Sequence, residues 1–186
     1  MCIKECDIFV FQFTFKISTN GYIMIDSGSR RIQFPRANYS VIAPYNLDLV
    51  AKNNIFQRTT TDKSILSRID EYVSKARNDY SFQSTSALIV TFDSLNVYRS
   101  SSSQITFQVV FATNLNATYV IVNYHRLDYP AKFVGFYDGV CNKTKNISIG
   151  DSRMLTSTSN IGISGVHVYK LTLPKQKCST SNGNYL

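Results

Sequence analysis

Tryptophan is absent from these 186 residues, histidine occurs only twice, and charged side chains make up just 17% of the chain. Each shortage excludes something. His125 ends one predicted strand beside Arg126, and His167 lies within another, so each reads as a structural residue of its strand. No Cys-x-x-Cys knuckle and no D-x-D-x-D loop closed by a glutamate occurs, which removes zinc-ribbon and EF-hand sites. The acids Asp48, Asp70, Glu71, Asp93, Asp128, Asp138 and Asp151 are scattered among predicted turns and strand ends. Asp48 follows an apolar, proline-containing segment, where orienting a turn outweighs holding a cation. Gly135 to Gly139 and Gly162 to Gly165 lack the lysine or helix start of a phosphate loop and read as strand-end turns. The expectation is therefore no catalytic residue, no metal site and no cofactor.

No run approaches the roughly 18 apolar residues that span a bilayer. Met1-Cys-Ile-Lys leads into an alternating stretch without a continuous apolar core, so no secretory signal is read. The chain is then either intracellular or a fragment of something longer. The formal net charge is +8, but its densest pieces are only Arg30–Arg31 and Lys143 with Lys145. Phosphate-tracking proteins cluster their cations on one element, so nucleic acid is not expected as a partner. Sulfated glycosaminoglycans are the better candidate for a basic surface this diffuse.

What is present is aromatic and β-forming. Hydrophobic residues reach 44%, and 12 Tyr with 12 Phe favour strands. Phe9, Phe11, Phe13, Phe15 and Ile17 alternate with polar residues, which predicts a half-buried strand over 8–17. Asn20-Gly21 suits a type I′ hairpin turn, with 22–26 as the returning strand. Further strands are predicted at 33–34, 41–42, 55–59, 87–92, 105–112, 119–124, 133–137 and 166–173. Ser100–Ser103 reads as a polar loop between two of them. Over 62–79 the period changes: Ile65, Leu66, Ile69, Tyr72, Val73 and Ala76 fall on one helical face. Asp62 or Thr61 can cap the start, and Lys75 and Arg77 suit the end. The pattern predicts a mainly β, antiparallel sandwich-like domain over 7–174, with one amphipathic helix packed on a sheet. Residues 175–186 read as a linker-like tail.

Four cysteines, Cys2, Cys6, Cys141 and Cys178, admit three disulfide pairings, and equally a set of isolated buried thiols. Pairing Cys141 with Cys178 and Cys2 with Cys6 is the working expectation, because it leaves no thiol over. Sequons stand at Asn38, Asn116, Asn142 and Asn146, although a chain so rich in Asn, Ser and Thr produces several by chance. Asn116 and the 142–146 pair fall in predicted inter-strand turns, where a glycan projects freely.

Ser18–Gly21, Val41–Asp48, Ile55–Thr60, Ala87–Asp93, Thr106–Thr113 with Tyr119–Tyr124, and Thr158–Gly165, taken in that order, resemble the NIDO module of nidogen and alpha-tectorin. Ser18-Thr-Asn-Gly21 is similar to the family's S-T-N-G turn. Val41-Ile-Ala-Pro-Tyr45 through Asp48 resembles its I-A-P-F-W-A-D element, and Ile55–Thr60 its V-x-Y-R-x-T strand. Ala87-Leu-Ile-Val-Thr-Phe-Asp93 is similar to A-L-I-V-T-W-D. Thr106–Thr113 with Tyr119–Tyr124 resembles T-F-Q-A-V-L-A-T-D-G followed by Y-x-I-F-N-Y. Gly135-Phe136 and Thr158–Gly165, the latter like T-S-N-V-G-x-P-G, complete the run. The resemblance covers about 15–173. Asn46, Phe92 and His167 stand where the family has tryptophan, Ser164 replaces its proline, and Val50 takes the place of a second acid after Asp48. The resemblance implies an extracellular, non-catalytic module of a larger adhesive protein, acting through contacts with matrix or cell-surface proteins. The alternative is carbohydrate binding, specifically of sulfated glycans, through Tyr98, Arg99, Arg126 and Tyr129. A hydrolase built on cysteine or histidine is the least supported class.

Overall fold

The computed structural model describes residues 3–4, 14–26, 40–52, 54–77, 80–138, 143–147 and 150–171. They form two antiparallel sheets packed face to face, with a helix on the far side of the second. The first sheet runs β1 (Ile3–Lys4), β2 (Thr14–Ser18), β3 (Tyr22–Asp26), β4 (Ser40–Asn46), β10 (Phe133–Asp138) and β11 (Lys143–Asn146), side by side in that order. In the second, β12 (Val166–Leu171) is followed by β9 (Thr118–Leu127), β8 (Ser100–Thr113) and β7 (Ser86–Val97). The far edge of β7 is shared by β6 (Ile55–Thr60) and the short β5 (Leu49–Val50). The expected mainly β sandwich with one helix on a sheet is what the chain forms.

Strand alternation sorts the side chains into layers. Phe15, Ile17, Ile23, Ile25 and Ile42 of the first sheet meet Leu88, Val90, Phe107, Phe111 and Val122 of the second. Phe92 and Phe107 stack at 4.4 Å between ring centres, and Phe15 tilts against Phe111 at 4.8 Å. Two tyrosines bolt the layers together. The Tyr124 hydroxyl donates to the Pro44 carbonyl at 2.8 Å, and the Tyr45 hydroxyl donates to the Tyr129 carbonyl at 2.7 Å. Burial pushes both phenols above their ordinary pKa, so they stay protonated donors.

The helix α1 (Lys63–Arg77) begins where the sequence places it. The Asp62 carboxylate accepts from the Ser64 amide at 2.8 Å and the Ser64 hydroxyl at 2.6 Å, which holds its pKa low. Leu66, Ile69 and Val73 face the outer side of the second sheet. Ala87 and Ala112 are paired there, and their small side chains let the helix approach.

Several local expectations are corrected. Ser18 pairs with Tyr22, leaving a three-residue turn, so Asn20-Gly21 is not a two-residue type I′ loop. The Gly21 amide bonds the Ser18 carbonyl at 3.2 Å, and Gly21 takes φ +72, the form of a turn closed by a left-handed residue. Ser100–Ser103 is not a loop but the start of β8. Val97 pairs with Ser100, and the connection is Tyr98-Arg99 with Arg99 left-handed at φ 64. Gly135 lies within β10, not in a turn: a Cβ there would overlap the Lys145 backbone of β11. The described part of the helix is Lys63–Arg77 and that of β12 is Val166–Leu171, with 78–79 and 172–173 of the predicted elements outside the described residues. Of the predicted strand over 8–17, residues 8–13 lie outside the described residues, as does 33–34. The tail 175–186 lies outside them too.

Candidate functional site

Hydrogen-bonded register across the second sheet produces rungs of side chains on its outer face. Arg58, Ile89, Val110, Ile121 and Val168 form one, directly under the helix. The next rung is Phe56, Thr91, Gln108, Asn123 and Val166. Its three central residues are half-buried and linked. Gln108 Nε2 donates to Thr91 Oγ1 at 2.9 Å, and Asn123 Nδ2 donates to Gln108 Oε1 at 3.3 Å. The helix covers the apolar rung and stops short of the polar one. Between them runs an open cleft of about 660 Å³, walled by α1 and by Ile163–Val166.

Arg58 and Arg68 both line this cleft and both are exposed. Arg68 donates to the Tyr72 hydroxyl at 3.1 Å, and its guanidinium lies 5.7 Å from that ring centre. Neither arginine forms an ion pair among the described residues. Other cations are committed differently. Lys75 pairs with Glu71 at 2.7 Å, Arg126 with Asp128 at 2.7 Å, Lys132 with Asp48 at 2.6 Å, and Arg153 with Asp151 at 2.6 Å. Exposed pairs of this kind add little stability, but they do cancel charge locally. Asp62, whose field reaches Arg58, is spent on capping α1.

The 158–165 segment that forms the other wall is held by its own side chains. Ser159 Oγ accepts from the Ile161 and Ile163 amides and donates to the Val166 carbonyl at 2.7 Å. The Asn160 amide bonds Val168 twice. Nδ2 donates to its carbonyl at 2.7 Å, and Oδ1 accepts from its amide at 2.9 Å. Asn160 thus stands in for a further strand on the free edge of β12. Gly162 and Gly165 both take φ +77, and at Gly165 a Cβ would press on the Tyr124 carbonyl.

The residues singled out from sequence scatter over the molecule. His167 is 7% exposed on the inner face, edge-on to Tyr124 at 5.6 Å, and burial lowers its pKa. His125 is the extra residue where β9 bulges between Tyr124 and Arg126, and it lines the outer cleft. The two histidines therefore share no site. Asp48 is bound to Lys132, and its carbonyl accepts from the Tyr98 amide at 2.8 Å, consistent with the turn role. Tyr98 and Tyr129 are exposed, and Arg99 lies 5.2 Å from the Tyr98 ring centre. Arg126, however, is held by Asp128 and by Gln104 at 2.6 Å. Asn116 sits in the turn between β8 and β9, as expected, and is exposed. Asn146 is exposed but lies in β11 rather than in a turn. Asn38, Asn142, Cys2, Cys6, Cys141, Cys178 and Arg30–Arg31 lie outside the described residues. Among the described residues no cluster of three metal-ligating side chains occurs, and no helix is long and apolar enough to cross a membrane.

Sequence reading missed Arg58, Arg68, Gln108 and Asn123. A signal existed: Thr91, Gln108 and Asn123 each interrupt an apolar strand on the same face. Only the strand register shows that the three interruptions coincide.

A family model described as "Nidogen-like domain" (NIDO) matches residues 13–172. Nidogen-1 of Mus musculus is 27% identical over 193 aligned positions, covering 85% of this chain and 16% of the relative. Nidogen-1 of Rattus norvegicus is 27% identical over 169 positions, covering 74% of this chain and 52% of the relative. For Nidogen-1 of Homo sapiens the identity is 26%, over 90% of this chain and 16% of the relative. The chain thus spans less than two thirds of the length of each. No solved structure matches significantly.

Proposed function

The chain belongs to the nidogen-like domain family, and on that premise we propose that it is a non-catalytic extracellular module of a larger adhesive protein. It acts in cell-matrix adhesion or matrix assembly through protein–protein contacts. The observation that carries this reading is the family match over 13–172, whose motif residues occupy positions that hold the scaffold rigid. Tyr45 and Tyr124 bolt the sheets, Gly21 closes the first hairpin, and Ser159 with Asn160 fix the wall of the outer cleft. A scaffold of this kind presents surface loops and glycans, with Asn116 and Asn146 as exposed acceptors. The folded unit is proposed to be 7–174, with 175–186 as a linker-like tail.

The test is adsorption to a reconstituted extracellular-matrix layer of protein produced in an oxidising host. Binding that is abolished by protease treatment of the layer and survives heparinase fits the proposal. Binding lost to heparinase alone would transfer the function to sulfated glycans. Absence of binding, together with four free thiols and no glycan, would refute an extracellular role.

A further inference from the structure

Two features of the outer cleft have no part in holding the fold. Arg58 and Arg68 present guanidinium groups that form no salt bridge among the described residues: Asp62, whose field reaches Arg58, caps α1, and Glu71, whose field reaches Arg68, is paired with Lys75. Beside them the amides of Gln108 and Asn123 lie half-exposed, and Asn123 Oδ1 carries no hydrogen bond among the described residues. The cleft also has apolar surface on its walls, from the half-buried Ile65, Tyr72 and Ile163, while Ile89, Val110 and Ile121 beneath are already covered by the helix. Guanidinium forks bind carboxylates through paired, charge-assisted hydrogen bonds. Side-chain amides offer a donor and an acceptor, which is what an extended peptide backbone requires.

From this juxtaposition we infer that the cleft binds an extended segment of a partner protein in which Glu or Asp adjoins an aliphatic or aromatic residue, an inference that rests on the protein-contact reading above. The carboxylate lies between Arg58 and Arg68, the apolar neighbour packs on Ile65 and Ile163 of the walls, and the peptide backbone runs along the amide rung. A sulfated glycan fits less well. It would leave those apolar walls without a partner, and two cations are few for a polyanion whose affinity rests on many phosphate-like contacts. The net charge of +8 draws acidic segments toward the molecule and raises their rate of encounter.

The experiment probes the full chain with an array of ten-residue peptides. Each alternates Glu or Asp with Leu, Ile or Phe, and each has a counterpart in which the acids are Gln or Asn. Wild type is compared with the Arg58→Gln/Arg68→Gln variant, whose two positions are exposed and whose retained fold is checked by thermal unfolding. Wild type is expected to bind acidic members, and to lose about tenfold or more on the amide counterparts and in the variant. Nuclear magnetic resonance should show the side-chain amide signals of Gln108 and Asn123 moving with bound peptide. Equal binding of acidic and amide peptides, an unaffected variant, or no binding at all would overturn the inference. So would movement of those signals by a heparin-derived oligosaccharide but not by peptide. The variant is also applied to the matrix layer. If it adsorbs as wild type does, the cleft assignment fails while the matrix reading stands. If wild type itself does not adsorb, the matrix reading fails independently of the array.

Discussion

Replacing Asn160 with alanine removes two hydrogen bonds to the backbone of Val168, at 2.7 and 2.9 Å. Val168 is 2% exposed, and among the described residues no strand lies beyond its outward amide and carbonyl, because β12 is the edge of its sheet. Each bond contributes about 0.5–1.5 kcal/mol net. Since Asn160 itself is exposed, water can replace part of the loss, which places the cost of Asn160→Ala at about 2 kcal/mol. In urea, with a slope of about 2 kcal/mol per molar, the unfolding midpoint should fall by about 1 M. Asn160→Asp sharpens the test. The carboxylate still accepts from the Val168 amide but is thrust against its carbonyl, so at neutral pH this variant should be less stable than the alanine one. Protonating the new acid restores a donor, and the order should reverse at low pH. Hydrogen exchange should show the Val168 amide losing protection in the alanine variant. A midpoint within about 0.25 M of wild type, or Asp equal to Asn at neutral pH, would refute the edge-sealing role.

His167 supplies a pH dependence. Its folded pKa is lowered by burial from 6.5, so the folded state binds fewer protons than the unfolded one below that value. Stability from this group is full above about pH 6.5 and declines as pH falls from there toward the lowered folded pKa; His167→Phe should flatten that limb of a denaturation series. At the alkaline end, burial pushes Tyr169 up to about 12, and Tyr124 and Tyr45 are raised too. A raised folded pKa means stability that is full below pH 10 and lost as pH climbs above it. Absorbance at 295 nm should show several late-ionising tyrosines, with the amplitude near pH 12 reduced by one residue's worth in Tyr169→Phe. Gly21 and Gly162 form a matched pair, with φ of +72 and +77. A Cβ at Gly162 meets open space, so alanine there should cost only the left-handed penalty of about 1–2 kcal/mol. At Gly21 it would overlap the Tyr45 carbonyl, so the loss by urea unfolding should be larger by about 1 kcal/mol or more. Equal losses would contradict the close approach of the first hairpin to β4.

The fold was legible wherever one residue's environment depends on its near neighbours. Continuous apolar, β-branched runs mark β7, β8 and β9, and the spacing of Leu66, Ile69 and Val73 marks the helix face. Asp62 marks the helix start because capping is a local hydrogen bond. Errors arose where a partner distant in sequence decides. Ser100–Ser103 are polar enough for a loop, yet Gln104 and Asn96 pair and carry the serines into β8. Gly135 reads as a turn residue, but it is needed because β11 passes too close for a side chain. The cleft is the extreme case. Arg58 is an ordinary edge-strand arginine until β6 to β9 align in register, and Arg68 an ordinary helix arginine until α1 docks.

The strand order also sets a schedule. β7, β8 and β9 each pair with the strand that precedes them, and α1 lies within the same stretch, between β6 and β7. Local pairings close short loops and form early. The first sheet cannot finish so soon, because Val41 of β4 waits for Tyr137 of β10. On a ribosome the β6–β9 part of the helix-backed sheet therefore emerges paired while β4 still has an unpaired edge; synthesis must run past Asp138 before that edge is sealed, and on to Leu171 before β12 joins β9.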